Sequence, residues 1–483
     1  MTNKKTLRSK SIAAFFWEFT GNIGLQLINF IVSILLARLL MPEDFGLLAM
    51  VNIIFIFSNL FLDAGLGAAL IQRKRVLDVH YSSVFYFNVV VGVVLTLITY
   101  FSAGLIGGFY EQPKVVPLIE VMSVTFIVSS LTVIQNIKFK KELDFKKRAI
   151  VRFFSTILSG SAGVLLALNG FGVWSLVLQL LVNRTFFLVM VWFQSDWRPS
   201  FLFSWKALKQ LWGFGSNIFF NDVLAVIFNK ADVLIIGKLF PIATLGYYQR
   251  ARSLESLIMD FTTSSLMQVL FPVFSSIQNE LSRLRTIVFK AMNLLSMLVF
   301  FVIGLFYLSA EEIILLLFTE KWIAVVPYFK ILLLSSYIGP FSSLFVNIIL
   351  GRGESKIHLK LSMIKKIPQS LNLILGFQFG IEGFLYGLVI SNSISFMLNI
   401  YYAKHILEVA SWWFLKPVLA FLSLTIVAVT LEASIFQFLT INSNLVSLVL
   451  KSAFFFVLFF GTSFLFKMTG LNMLLEEVKL IKK

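Results

Sequence analysis

The chain contains no cysteine, and only three of its 483 residues are histidine. Without cysteine it has no disulfide, no thiolate nucleophile and no cysteine-ligated metal. His80, His358 and His405 fall far apart in polar connecting segments, which disfavours a metal site. P-loop, HExxH and GxSxG sequences are also missing. We therefore predict a protein that needs no metal or cofactor and has no enzymatic activity.

Charge is also scarce, whereas hydrophobic residues are abundant. Charged residues make up 13% of the chain and hydrophobic residues 58%, with a mean hydropathy of +0.89. Soluble proteins carry about 25% charged residues, so lipid must surround most of this chain. Because a spanning helix needs about 20 apolar residues, we predict an all-α integral membrane protein with about fourteen transmembrane helices. The predicted spans centre on 13–37, 46–70, 82–108, 115–137, 150–168, 171–193, 211–239, 246–274, 287–308, 325–350, 360–379, 381–402, 412–431 and 446–466.

Basic residues outnumber acidic ones and give a net charge of +17. If the N-terminus is cytoplasmic, alternate connections such as "QRKRVLDVH" and "KFKKELDFKKR" hold about 30 of the 41 basic residues, as the positive-inside rule requires. The sequence therefore predicts that both termini are cytoplasmic. Membrane topology accounts for the basic charge, so no nucleic-acid partner is expected.

Two stretches 200 residues apart indicate an internal repeat. "LLARLLMPEDFGLL" begins at Leu35 and "LIIGKLFPIATLGYY" at Leu234, and an offset of 200 aligns Gly46 with Gly246. Shared composition is the alternative explanation. Six predicted spans in each half return the chain to its starting side, so the repeats are parallel, as in many transporters. The predicted organisation is an N-lobe with helices 1–6 at 1–200, a C-lobe with helices 7–12 at 201–405, and helices 13 and 14 with a cytoplasmic tail at 406–483.

Polar side chains recur at helical spacing inside the predicted spans. Glu18, Asn22 and Asn29 share one face of the first span, because residues at i, i+4 and i+11 lie on one side of a helix. Asp222 and Asn229 take the matching places in the seventh span, at the offset of 200. A charged side chain at mid-membrane costs about 3 kcal/mol unless it meets water or a partner. The stripes therefore predict a water-filled crevice, with buried ion pairs between helices as the alternative.

The charges in these spans indicate two roles. Arginine and lysine attract phosphate, so a phosphate-bearing substrate is expected. The predicted substrate-binding residues are Lys230, Arg250, Arg252, Arg184, Asn22, Asn29 and Asn229. The carboxylates either neutralise these bases or bind a coupling ion, and the sequence does not choose between H⁺ and Na⁺. The predicted ion-coupling or gating residues are Glu18, Asp63, Asp222 and Asp232.

Three stretches resemble a known family. They are "LLARLLMPEDFGLLAMVNIIFIFSNLFLDAGLGAALIQRK" at 35–74, "NKADVLIIGKLFPIATLGYYQRARSL" at 229–254, followed by "FPVFSSIQ", and the cytoplasmic "ILGRGESKIHLKL". With them, nearly the whole chain resembles the polysaccharide repeat-unit flippases of the Wzx type, including the colanic acid exporter branch. These proteins belong to the multidrug/oligosaccharidyl-lipid/polysaccharide (MOP) superfamily.

The resemblance implies a fold and a function. The two six-helix lobes would form a V, with two further helices at the C-terminus. The protein would flip undecaprenyl-pyrophosphate-linked oligosaccharides, the precursors of O-antigen, capsule or exopolysaccharide, across the inner membrane by alternating access. A polysaccharide polymerase and a chain-length regulator are candidate partners, besides the membrane lipid. The alternatives are a cation-coupled multidrug exporter of the same superfamily and a glycan polymerase.

Overall fold

The computed structural model describes residues 4–277, 279–439, 441 and 443–473, and side chains from Phe16 onward except at 217, 261, 263–269, 271 and 272. Helix makes up 87% of the structure, and the described residues contain no strand. This confirms the predicted all-α class. The chain divides into two compact units, Met1–Gly246 and Tyr247–Lys483. The predicted division into lobes at 1–200 and 201–405 stays a prediction.

The first unit contains the helices that surround the candidate site. They are α1 Lys4–Leu39, α2 Pro42–Asp63, α3 Leu66–Gln72, α4 Asp78–Tyr110, α5 Val115–Ser130, α6 Val133–Lys141, α7 Phe145–Leu168, α8 Val173–Gln194 and α9 Trp205–Leu239. The next helix, α10 Ile242–Ser276, continues into the second unit. There follow α11 Leu281–Leu308, α12 Ala310–Phe318, α13 Val325–Ser336, α14 Ile338–Gly351, α15 Ser355–Leu375, α16 Gly380–Leu407, α17 Ser411–Phe436 and α18 Asn444–Leu465.

Ten helical segments within the described residues are long and apolar enough to cross a membrane. An eleventh is obtained if α5 and α6, which meet at a bend of 43°, form one span. The predicted count of fourteen is not confirmed. Helices α9 and α10 are each 35 residues long but carry several charged residues, and α15 and α16 fall together in one 53-residue segment. The polar stripe on α9 therefore lies in a helix outside the ten apolar segments, whereas the stripe on α1 lies in one of them, Phe16–Leu39.

The junction between α2 and α3 positions an acidic side chain. Helix α2 begins at Pro42, whose missing N–H is not needed at the first helical position. It ends at Asp63, because Ala64 and Gly65 adopt left-handed backbone with φ of 44° and 70°. The carboxylate of Asp63 then accepts a hydrogen bond from the Gly67 N–H at 2.9 Å, which stabilises the start of α3.

Small residues allow α7 to pack closely against both α1 and α8. A Cβ atom on Gly21 would lie 3.0 Å from the Cβ of Ala149, and one on Gly160 would lie 2.6 Å from a methyl group of Val32. Because α1 and α7 approach this closely, their polar side chains can pair directly.

Two glycines form a second close crossing, where α2 meets the start of α10. A Cβ atom on Gly46 would clash with the carbonyl oxygen of Ile242, and one on Gly246 would clash with that of Pro42. The two contacts are reciprocal, since Pro42 and Ile242 are also 200 residues apart.

Candidate functional site

The first unit encloses a cavity of about 670 Å³ between α1, α2, α3, α5, α6, α7 and α8. Four basic side chains and one carboxylate line it, which leaves an excess of three positive charges. They are Lys140, Arg148, Arg152, Arg184 and Asp63. Since these groups belong to helices that cross or approach the membrane, the cavity is strongly attractive to an anion.

An ion pair joins α1 to α7 beside this cavity. Arg148 Nη1 donates to Glu18 Oε1 at 2.7 Å, and Arg148 Nε donates to Asn136 Oδ1 at 3.1 Å. One turn further, Arg152 Nη1 donates to Asn22 Oδ1 at 2.9 Å and lies 4.0 Å from Glu18. Each helix contributes two polar side chains four residues apart, so both pairs lie on the facing surfaces. Glu18 neutralises one of the cavity's positive charges.

The two other bases of the cavity have no such partner. The side chains of Lys140 on α6 and Arg184 on α8 are exposed to the cavity space. Among the described residues, no carboxylate lies within 4 Å of either base. The carboxylate of Asp63 is engaged by the Gly67 N–H. Lys140 and Arg184 are therefore available to an anionic ligand.

Neutral hydrogen-bonding groups cover much of the remaining wall. Asn29, Asn59, Gln179 and Asn183 line the cavity together with serine and threonine hydroxyls. The Asn183 amide donates to the Ser159 hydroxyl at 3.1 Å, which orients one of these groups. Amides and hydroxyls both donate and accept hydrogen bonds, as the hydroxyl groups of a sugar do. The wall therefore combines groups suited to phosphate with groups suited to carbohydrate.

Five of the predicted site residues, which lie on α1, α2 and α8, come together at this cavity. Arg184, Asn29 and Asp63 line the cavity, and Glu18 and Asn22 contact its arginines. In the polar stripe predicted on the first span, Glu18 and Asn22 therefore pair with arginines of α7, and Asn29 lines the cavity.

The predicted residues of α9 lie outside the cavity lining. Asp222 and Asn229 are exposed, while Lys230 and Asp232 are half-buried. Asp222 is close enough to Asp63 for their carboxylates to repel each other. Their roles in substrate binding or ion coupling stay predictions.

Arg250 and Arg252 belong to the second unit. The Arg250 guanidinium is 6% exposed and packs over the rings of Phe318 and Trp322, with centroids at 5.0 and 5.3 Å. Such stacking stabilises a buried guanidinium. Arg252 is half-exposed and pairs with Glu255 at 3.4 Å. The predicted substrate contacts of both arginines stay predictions.

The sequence reasoning missed Lys140, Arg148 and Arg152. Lys140 and Arg148 fall in the predicted cytoplasmic connection "KFKKELDFKKR", where bases satisfy the positive-inside rule, and Arg152 falls at the start of the predicted span 150–168. One feature of the sequence distinguishes the two arginines from ordinary loop residues. Arg148 and Arg152 are four residues apart at the start of an apolar helix, the same spacing as Glu18 and Asn22 in the first span.

These features define a multi-pass helical membrane protein with a cationic, carbohydrate-compatible cavity. The profile described as polysaccharide biosynthesis protein matches residues 35–327, and the chain belongs to this family. The family predicted from sequence is thereby confirmed.

Characterised relatives cover most of the chain. The succinoglycan biosynthesis transport protein ExoT of Rhizobium meliloti (strain 1021) is 26% identical over 367 residues, which cover 76% of this chain and 73% of that protein. The lipopolysaccharide biosynthesis protein WzxC of Escherichia coli (strain K12) is 22% identical over 407 residues, covering 82% of each. Both alignments therefore extend over most of the chain and are not limited to one short motif.

Solved structures share the fold at low sequence identity. The lipid II flippase MurJ in an inward closed conformation matches with a TM-score of 0.75 and 16% identity, covering 94% of this chain and 99% of that one. An inward-facing multidrug resistance transporter of the MATE family, from the MOP superfamily, matches with a TM-score of 0.59 and 15% identity, covering 80% and 96%. These likenesses establish the architecture.

Proposed function

We propose that this protein flips a lipid-linked oligosaccharide across the inner membrane by alternating access, and that the cationic cavity of the first unit receives the phosphate groups. The observation that carries the proposal is the excess of bases in this cavity, with Lys140 and Arg184 available to a ligand. The family, and relatives named for polysaccharide transport and biosynthesis, support the same substrate class.

The cavity has the chemistry that a diphosphate-linked sugar requires. Arginine offers a planar fork to phosphate oxygens, and each charge-assisted hydrogen bond contributes about 1.5–3 kcal/mol. A cation held away from bulk water is costly until an anion compensates it. The volume of about 670 Å³ lies within the range of about 300–1,000 Å³ typical of ligand pockets. A diphosphate and its first sugars therefore fit, while a long polyprenyl tail would stay in lipid.

Charge exchange offers a mechanism for substrate entry. Glu18 holds Arg148 in the structure, and an incoming phosphate would compete for the same guanidinium. Once Glu18 is released, it is free to bind H⁺ or Na⁺, which would couple transport to an ion gradient. With cytoplasmic termini, the α1 and α7 pair lies toward the cytoplasmic side, where the substrate is made. A polymerase and a chain-length regulator would consume the flipped product.

The test is flipping of a lipid-linked oligosaccharide in proteoliposomes made with the Lys140→Ala/Arg184→Ala double variant. We expect the rate to fall about tenfold or more, because a loss of about 1.4 kcal/mol of transition-state stabilisation corresponds to one factor of ten. Arg283→Ala is the matched control, since Arg283 is exposed and pairs only locally with Glu280 among the described residues. Unchanged flipping by the double variant would refute this role of the cavity.

The multidrug exporter is the competing function, because the MATE transporter shares the fold. A cationic drug would be repelled by the four bases of this cavity. Expression in a drug-sensitive host is therefore expected to leave resistance to cationic drugs unchanged, whereas a polysaccharide-deficient strain should regain its surface polymer. The opposite pair of results would favour the exporter.

A further inference from the structure

The second unit contains a buried cluster of two glutamates and one lysine, separate from the cationic cavity. Glu312 lies on α12, Glu432 near the end of α17, and Lys451 in the second turn of α18. Helix α18 packs against both α12 and α17, which brings the three side chains together. Glu312 is 6% exposed and Glu432 is 2% exposed. Burial of two carboxyl groups beside a single amine needs an explanation.

One glutamate is paired with the lysine through a single carboxylate oxygen, while its Oε2 meets no donor among the described residues. Lys451 Nζ donates to Glu312 Oε1 at 2.5 Å, and the Ser447 hydroxyl donates to the same oxygen at 2.8 Å. Burial alone would raise the pKa of Glu312, yet the hydrogen bonds from Lys451 and Ser447 hold that pKa below its ordinary value. Glu312 and Lys451 therefore form an ionised pair with no net charge.

The second glutamate has no counterion of its own. Glu432 Oε1 meets no hydrogen-bond donor in the described part of the chain. The charged groups near it are Glu312 on α12, Lys330 on α13 and Lys451 on α18. Lys451 is already bonded to Glu312, and the Lys330 amine lies over the Tyr307 ring at 5.2 Å. A buried carboxylate without a partner costs several kcal/mol, so the neutral acid is the stable form here.

We propose that Glu432 is a proton-binding site and that Lys451 is shared between the two glutamates in exchange for that proton. In the structure, Lys451 pairs with Glu312 while Glu432 holds the proton. When the proton leaves to water, the new carboxylate competes for the Lys451 ammonium. Glu432 lies about one turn from the end of α17 at Phe436, so the path to water is short. The link to transport rests on the proposed function, which would need such an ion for coupling.

The first experiment is infrared difference spectroscopy of the full-length protein in lipid nanodiscs, which detects the carbonyl stretch of a protonated carboxyl group. At neutral pH we expect one such component to disappear in Glu432→Gln and to persist in Glu311→Gln. Glu311 is the matched control because it is the exposed neighbour of Glu312 on α12. Persistence of the full band in Glu432→Gln would overturn the proposal.

A second variant tests the exchange without touching Glu432. In Glu312→Gln, Lys451 loses its ionic partner and is free to pair with Glu432, which should then ionise. We expect the same infrared component to disappear, although Glu432 is still present. Retention of the component in this variant would overturn the exchange. A change of the band on adding Na⁺ at constant pH would assign the site to Na⁺ instead of the proton and would equally overturn the proposal.

A transport assay tests this inference separately from the proposed function. In proteoliposomes, flipping by the wild type should accelerate when a pH gradient is imposed, and Glu432→Gln should lose this acceleration while Glu311→Gln keeps it. If the wild type does not flip the lipid-linked substrate, the proposed function fails, and the infrared result still decides the proton site. If flipping occurs with equal pH-gradient dependence in all three proteins, the coupling role fails alone.

Discussion

Replacing Glu18 with glutamine separates two effects of one carboxylate. In the structure, Glu18 accepts a hydrogen bond from Arg148 at 2.7 Å and lies 4.0 Å from Arg152. Glutamine keeps an oxygen that can accept the hydrogen bond but removes the negative charge. The variant should therefore weaken the contact between α1 and α7 and, at the same time, make the adjacent cavity more positive. We expect lower stability together with tighter binding of an anionic substrate.

The magnitude of each effect follows from the geometry. The side chains of Arg148 and Glu18 are 15% and 31% exposed, so their pair lies between an exposed ion pair, worth about 0–1 kcal/mol, and a buried charged hydrogen bond, worth about 1.5–3 kcal/mol. Loss of the charge alone should cost about 1 kcal/mol of stability, because a neutral hydrogen bond keeps about half the strength. One uncompensated unit charge beside the cavity contributes at most about 4 kcal/mol, the value for two unit charges about 4 Å apart at an effective dielectric of about 20. After screening, we expect binding to tighten about threefold to tenfold.

The assay compares wild type, Glu18→Gln and the control Glu354→Gln, whose carboxylate is exposed on the second unit. Thermal unfolding followed by tryptophan fluorescence reports stability, and titration with a diphosphate-linked oligosaccharide lipid in nanodiscs reports affinity. The reasoning requires a lower Tm and a lower Kd in Glu18→Gln, with neither change in the control. Weaker substrate binding by Glu18→Gln would show that Glu18 contacts the substrate directly, and an unchanged Kd would show that the cavity does not bind its phosphates.

Three further predictions address other parts of the chain. Gly46→Val should lower the Tm, because overpacking at the α2–α10 crossing costs about 1–3 kcal/mol, whereas Gly104→Ala, at a site with open space, should have little effect. The hydrogen bond from Lys238 lowers the pKa of Glu111, so the stabilising effect of this pair is present above the ordinary glutamate pKa and is lost as the pH falls through the lowered value. A pH series of Tm values for wild type and Glu111→Gln should therefore converge in acid, and a constant difference would contradict the assignment. Arg250→Lys should be destabilising, since an ammonium cannot stack on two aromatic rings as a guanidinium does; equal Tm values would contradict the packing role.

The amino-acid sequence alone determined the class of protein. Scarcity of charge, abundance of apolar residues and the alternation of basic connections require a multi-pass helical membrane protein, since backbone polar groups in lipid must be satisfied within helices. The motifs near residues 35–74 and 229–254 also identified the family that the comparison later confirmed. Arg184, Asn29 and Asp63, which the sequence singled out as intramembrane polar residues, line one cavity, and their predicted roles stay predictions.

Only the tertiary structure decided which charges meet. Glu18 and Arg148 are 130 residues apart, and they pair because glycine and alanine let α1 approach α7. The same packing makes Lys140 and Arg148 part of a cavity wall, although their sequence context resembles an ordinary cytoplasmic loop. Arg250 packs on two aromatic rings that lie about 70 residues further along the chain, a contact that the sequence did not indicate. Local sequence sets hydrophobicity and helical periodicity, but the neighbours of a helix depend on side-chain packing between distant segments, so the position of each charge follows from the assembled bundle.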